Sequence, residues 1–196
     1  MTDPAAVARA LVEGGVAVIP TDTVYGLAAS PGSPAAIDAI FDLKGRDRAK
    51  ALPVLGADVD ALASIVDLDE RAMRLAATFW PGPLTIVLPR AAGFDVDLGI
   101  GSEVSVAVRV PQHDLARELL SATGPLAVTS ANLSDAPPAS SVDEARAIFG
   151  DRVAAYLDGG RCDGAPSTIV SLVGEPHLVR QGALDADTVL AGVVAS

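Results

Sequence analysis

Scarcity marks this chain of 196 residues: one cysteine, two histidines, one tryptophan and two lysines. A lone Cys162 builds neither a disulfide framework nor a cysteine zinc site, and it suits a reducing cytoplasm. No apolar run approaches the roughly 20 residues a membrane helix needs, and the opening Met1-Thr2-Asp3-Pro4 has no basic leader segment, so a cytoplasmic protein is expected. Positive charge is also short. Fourteen Lys and Arg stand against 25 Asp and Glu, a formal net charge of −11, and such a surface repels bare nucleic acid and anionic membranes. Any anionic ligand must be held locally. The motifs of several common engines are missing too: there is no GxxxxGK[ST], no GxSxG and no HExxH, and Gly99-Ile100-Gly101 leads into a valine strand where a dinucleotide fingerprint needs a helix. His113 and His177 lack motif support and read as structural. Acidic pairs such as Asp67/Asp69 read as helix caps and turns, not metal ligands.

What is present is an interleaving of helices and strands. Asp3 and Pro4 open a helix that Gly14-Gly15 ends. Val16 to Ile19 is a short buried strand. Ser33-Pro34 starts a helix with Ile37, Ile40 and Phe41 on one face. Strands are expected over 52–55, 84–88, 104–110, 126–129, 168–172 and 177–180, and helices over 69–80, 114–121, 145–149 and 185–190. Ser141 with Glu144 forms a capping-box signature. The length fits one domain over 1–196, and the alternation predicts an α/β fold with a mixed sheet.

Polar residues gather at strand ends, where open α/β sheets bind ligands. Val16–Ile19 runs into Pro20-Thr21-Asp22-Thr23-Val24-Tyr25-Gly26-Leu27, and Leu126–Thr129 into Ser130-Ala131-Asn132. Arg109 projects from the face of its strand opposite Val106, Val108 and Val110, beside the small Ser105 and Ala107. Both lysines fall in Lys44-Gly45-Arg46-Asp47-Arg48-Ala49-Lys50. A solvated loop is the ordinary reading of such a stretch. In so acidic a chain an anion site, with polyphosphate as the expected ligand, accounts for it better, because Lys point charges and Arg forks neutralise phosphate oxygens.

In order along the chain, PTDTVYGL (20–27), KGR (44–46), WPGPLT (80–85), VAVRVP (106–111), SAN (130–132), STIV (167–170) and VRQG (179–182) resemble the YrdC/Sua5 family, the threonylcarbamoyl-AMP synthases, in its short single-domain bacterial form. The resemblance implies a twisted mixed sheet with flanking helices and a concave basic cavity. It implies a reaction in which L-threonine, bicarbonate and ATP, with Mg2+ carried by the nucleotide, give L-threonylcarbamoyladenylate and pyrophosphate. This is the first step of the threonylcarbamoyladenosine (t6A) modification of tRNA. By the same resemblance Lys44, Arg46, Ser130 and Asn132 form the catalytic set, with Lys44 at the shared anionic region. Arg46, Lys50, Asn132, Ser140 and Arg180 would meet ATP, and Thr23, Arg109, Ser130 and Ser167 would meet threonine. No protein metal site is implied. A t6A transferase complex is the expected downstream partner, tRNA contact is at most transient, and no membrane contact is expected. Replacing Lys44 or Arg46 by Ala is expected to abolish turnover and leave the fold standing, on the premise that both face the cavity.

The chain departs from the family pattern at Asp47, Ala51, Leu55, Asp135 and Ser171, which bear on loop shape and affinity. Two other readings stay open: an RNA-binding module of the same fold, and a paralogue with other carbamoyl or adenylate chemistry.

Overall fold

In the computed structural model, which describes residues 3–194, local sequence sets each helix boundary. Asp3 accepts the Ala5 amide at 3.1 Å and caps α1 (Pro4–Val12), whose first position suits proline because no N–H is needed there. After β1 (Ala17–Ile19) and β2 (Gly26–Ala29), Ser33 caps α2 (Pro34–Lys44), and Gly45 ends it at φ 60°, in the left-handed region. The chain continues through β3 (Val54–Leu55), α3 (Val59–Leu62), α4 (Glu70–Phe79), β4 (Leu84–Pro89), β5 (Ser105–Arg109) and α5 (Asp114–Thr123). It closes with β6 (Leu126–Ser130), α6 (Val142–Phe149), β7 (Ala155–Tyr156), β8 (Thr168–Ser171), β9 (His177–Arg180) and α7 (Ala186–Val194). Among the described residues no helix is long and apolar enough to cross a membrane.

The strands form one mixed sheet in the order β7-β1-β2-β6-β3-β5-β4-β8-β9. Three elements lie outside the sequence expectation: β2, α3 and β7. β2 reads Gly-Leu-Ala-Ala, which lacks the β-branched and aromatic residues that mark strands. It is held by partners on both sides, Ala28 pairing with Ala17 of β1 and with Val128 of β6. The capping box at α6 is shifted by one residue. Ser141 accepts the Glu144 amide at 3.2 Å, but the Glu144 carboxylate reaches back to the amide of Ser140 at 2.8 Å.

The two sheet faces are covered unequally. On one, Val18, Leu27, Val54, Ile86, Val108 and Val170 pack with Ile37 and Phe41 of α2, Leu75 of α4, Phe149 of α6 and Val189 of α7. On the other, Ile19, Ala28, Leu55, Leu126 and Val128 pack with Val7 and Leu11 of α1 and Leu119 and Leu120 of α5. Beyond β3 this second face runs on to Ala107 and Arg109 of β5, Thr85 of β4 and Ile169 of β8, and these residues line a cavity of about 340 Å³. The alternation along β5 makes this possible: its valines fill the core below, and its other face is left to Ala107 and Arg109.

Candidate active site

The cavity wall begins at the turn between β1 and β2. Thr21 accepts the amides of Thr23 and Val24, both at 3.2 Å, and its hydroxyl lies 3.0 Å from that of Thr23. This local knot presents Thr23 to Arg109, whose Nη1 donates to Thr23 Oγ1 at 3.2 Å. Arg109 also donates Nε to the Gly82 carbonyl at 2.9 Å and pairs Nη2 with the Asp22 carboxylate. Burial lowers the Arg109 pKa and Asp22 opposes that shift, so the guanidinium remains charged and already neutralised. Asp22 carried no assigned role in the sequence. Gly164 closes over this turn, where a Cβ would stand 2.4 Å from the Asp22 carbonyl.

Ser130 ends β6 and lines the cavity. Its hydroxyl donates to Asn132 Oδ1 at 2.7 Å, and Asn132 donates Nδ2 to the Ala136 carbonyl at 2.5 Å. Lys44 holds this turn from behind: its Nζ donates to the Ser130 carbonyl at 2.6 Å, the Asn132 carbonyl at 2.8 Å and Asn132 Oδ1 at 2.6 Å. All three ammonium protons are spent on these oxygens, and Lys44 is 3% exposed. The expectation that Lys44 faces the cavity is therefore corrected. Its placement was legible, since Lys44 falls three, four and seven residues after Phe41, Ile40 and Ile37, on the buried stripe of α2. Burial, and secondarily Arg46, lower the Lys44 pKa to about 8.

The rest of the basic stretch divides. Arg46 lines the cavity and is braced by the carbonyls of Lys50, at 2.7 Å from Nε, and Ala51, at 3.2 Å from Nη2. Arg48 turns the other way, to Asp38 at 2.7 Å and Asp97 at 2.8 Å, with Phe41 beneath its guanidinium. Lys50 is exposed, 3.9 Å from Asp135, and lies outside the cavity lining. Asp135 itself has φ 65°, a backbone state that suits glycine and, among other residues, Asp and Asn.

Across the cavity Arg180 of β9 donates Nε and Nη2 to the Ser167 carbonyl at 3.2 and 2.8 Å, and Nη2 to Ser167 Oγ at 3.1 Å. The Ser167 hydroxyl lies 2.8 Å from that of Thr85. Thr85 was missed by the sequence reading, although the alternation of Leu84, Ile86 and Leu88 into the core sets it on the opposite face. Ser140 is outside the lining and pairs with Glu144 and with Arg161, at 2.9 Å. The structure thus brings Thr23, Arg46, Arg109, Ser130, Ser167 and Arg180 to one cavity, sets Lys44 and Asn132 behind it, and leaves Lys50 and Ser140 outside its lining.

Electrostatically the site is unbalanced. Burial, and after it Arg180, lower the Arg46 pKa, and burial lowers that of Arg180. Arg46 and Arg180 are braced by carbonyl oxygens, and among the described residues neither forms a carboxylate pair. An anion between them relieves both the repulsion and the unpaired charge. Leu55 adds an apolar wall, and among the described residues no carboxylate, histidine or cysteine lines the cavity. The site can clamp and orient an anion among hydroxyls.

A sheet half-face left to a cavity of guanidinium and hydroxyl groups defines the chain as an α/β protein with a polar site on its open sheet face. The chain belongs to the Sua5/YciO/YrdC family, whose model, described as "Telomere recombination", matches residues 9–182. It is 40% identical over 166 residues to a threonylcarbamoyl-AMP synthase of Chromohalobacter salexigens, covering 83% of this chain and 89% of that relative. The structure of P. abyssi Sua5 complexed with L-threonine aligns with a TM-score of 0.90 at 33% identity, over 96% of this chain and 56% of the archaeal one. E. coli YciO aligns with a TM-score of 0.84 at 25% identity, over 91% of this chain and 88% of its own. The fold expectation, one mixed sheet with flanking helices, is met by this structure and by these neighbours.

Proposed function

We propose that this chain is an L-threonylcarbamoyladenylate synthase, a nucleotidyltransferase acting in the cytoplasm. The threonine amine captures CO2 supplied by bicarbonate, forming a carbamate and releasing a proton. A carbamate oxygen then attacks the α-phosphorus of ATP, and the bond to the β-phosphate oxygen breaks to release pyrophosphate. Two anions must approach one another, so positioning and charge neutralisation carry the rate and no covalent nucleophile is needed.

The observation that carries this reading is the pair Arg46 and Arg180, unneutralised by any carboxylate in a chain of net charge −11, opening on one cavity with Thr23, Ser130 and Ser167. Arg46 and Arg180 are assigned to the nucleotide, with Lys50 and Ser140 as outer contacts, and Asn132, its amide engaged by Lys44, Ser130 and Ala136, acts on the nucleotide through its turn. Thr23, Arg109, Ser130 and Ser167 are assigned to threonine. Lys44 acts through the Ser130–Asn132 turn. The cavity lining lacks the carboxylates a resident divalent cation would want, so Mg2+ is placed on the phosphate oxygens of ATP, as is usual for this ion. The product suits delivery to a t6A transferase complex. The names carried by relatives, threonylcarbamoyl-AMP synthase and a Sua5 holding L-threonine, support the same reading.

The test is pyrophosphate release by pure protein with ATP and Mg2+. Release is expected only when threonine and bicarbonate are both present, with a product mass equal to threonylcarbamoyl-AMP. Release without threonine, or with carbamoyl phosphate replacing bicarbonate, would contradict it.

A further inference from the structure

From the hydroxyl chain at the β4–β8 edge, we infer that Thr85 is a positioning residue that fixes Ser167 as a hydrogen-bond donor toward the substrate. The inference rests on the synthase reading and deepens it. Thr85 and Ser167 are both buried, at 4% and 6% exposure, with their hydroxyl oxygens 2.8 Å apart. Ser167 is the sole partner of the Thr85 hydroxyl among the described residues. A serine hydroxyl has one proton and two acceptor sites. Arg180 Nη2, which has no other use for this direction than donation, fills one acceptor site of Ser167 at 3.1 Å.

When Thr85 donates into the other, both acceptor sites are taken and the Ser167 proton is left for the cavity. The opposite arrangement would direct the Ser167 proton to Thr85 and leave the Thr85 proton with no protein acceptor among the described residues. Ser167 stands just before β8, at the open end of the strand, whereas Thr85 lies within β4 between two paired neighbours. The proton facing the ligand is therefore assigned to Ser167.

Ser130 has the reverse polarity. Its proton goes to Asn132 Oδ1 at 2.7 Å, so it offers lone pairs to the cavity. The two serines thus demand different groups: an acceptor such as a carboxylate or carbamate oxygen at Ser167, and an N–H or O–H donor at Ser130. An amino acid or its N-carboxy derivative supplies both. Arg180 also ties this donor to the arm assigned to the nucleotide, so the two substrates share one hydrogen-bonded chain.

The experiment is a double-mutant cycle with Thr85→Val, which keeps the shape and removes the hydroxyl, and Ser167→Ala, read as the Kd for L-threonine by calorimetry and as KM and kcat. Thr85→Val is expected to raise the Kd and KM for threonine about tenfold with a smaller change in kcat, a tenfold shift being one decade in affinity. Ser167→Ala should do at least as much, the double variant no more than Ser167→Ala alone, and Thr85→Ser should restore the wild-type values. Multiplying effects in the double variant, or a Ser167→Ala variant near wild type, would overturn the inference by showing that Thr85 meets the substrate directly. A purely structural role for Thr85 would appear as a lowered Tm with unchanged KM, and would overturn it equally. If the wild-type protein neither binds threonine nor forms product, the synthase reading fails first and this inference falls with it; the wild-type arm separates the two failures.

Discussion

Lys44 shows how a residue type can point to the right chemistry through the wrong contact. An ammonium in a KxR segment invites a phosphate, yet its three protons are already given to Ser130 and Asn132 oxygens. Lys44→Met is expected to lower stability by roughly 2–3 kcal/mol and Tm by roughly 5–10 °C, because buried acceptors lose their donor. Activity should fall with it, measured per folded molecule. An unchanged Tm with lost activity would return Lys44 to the anion site. Its titration has a sign that separates stability from catalysis. The folded protein releases the Lys44 proton at about pH 8, against 10.5 for the ordinary side chain. Between those values the unfolded chain binds more protons, so this group's contribution to stability rises with pH. Activity needs the ammonium to hold the turn, and kcat/KM is expected to decline above about pH 8. A pH–rate profile flat to pH 10 would disprove it. For Arg46→Ala the outcome differs: about 10²- to 10³-fold lower kcat for loss of one charge-stabilising donor, with the fold intact by circular dichroism.

At the scale of elements, the loop that carries Arg46 is fastened from outside. Arg48 bridges Asp38 on α2 to Asp97, and its carbonyl accepts the Ile100 amide at 2.8 Å. These pairs are exposed, worth roughly 0.2–1 kcal/mol each at most, so Arg48→Ala should change Tm by only about 1–3 °C. Its larger effect should fall on the loop: a several-fold higher KM for ATP with kcat nearly kept. Equal KM values for the variant and the wild type would show that the 45–51 loop holds its shape without the bridge.

The elements were legible where one signal governed them. The caps Asp3, Ser33 and Ser141 and the valine alternation of β5 were read directly from the sequence. β2 and β7 were not, since two to four residues form strands only when neighbours supply the pairing, and α3 was not, since a helix of four residues carries too little periodicity to read. The same limit applies to Asp22 and Thr85. Their sequence positions were plain, but their partners, Arg109 and Ser167, lie 87 and 82 residues away, and no local pattern encodes such a meeting.

Over the whole molecule, the acidic balance sets what approaches. A net charge of −11 disfavours a broad basic surface for a phosphate backbone, whereas inside the cavity of about 340 Å³ Arg46 and Arg180 have no carboxylate partner among the described residues. At about 150 mM salt, where screening acts beyond roughly 8 Å, titration with fluorescent double-stranded RNA is expected to show no saturable binding below about 10 µM, against the non-specific range of basic proteins. Tight binding with a steep salt slope would favour the RNA-module reading instead.

Within that cavity the charge is not spread evenly. Arg109 arrives already matched by Asp22, whereas Arg46 and Arg180 rest on neutral oxygens, carbonyls and the Ser167 hydroxyl, with no carboxylate among the described residues. The interior therefore works like a compass: a ligand bearing most of its charge at one end is turned toward Arg46 and Arg180 before any hydroxyl touches it.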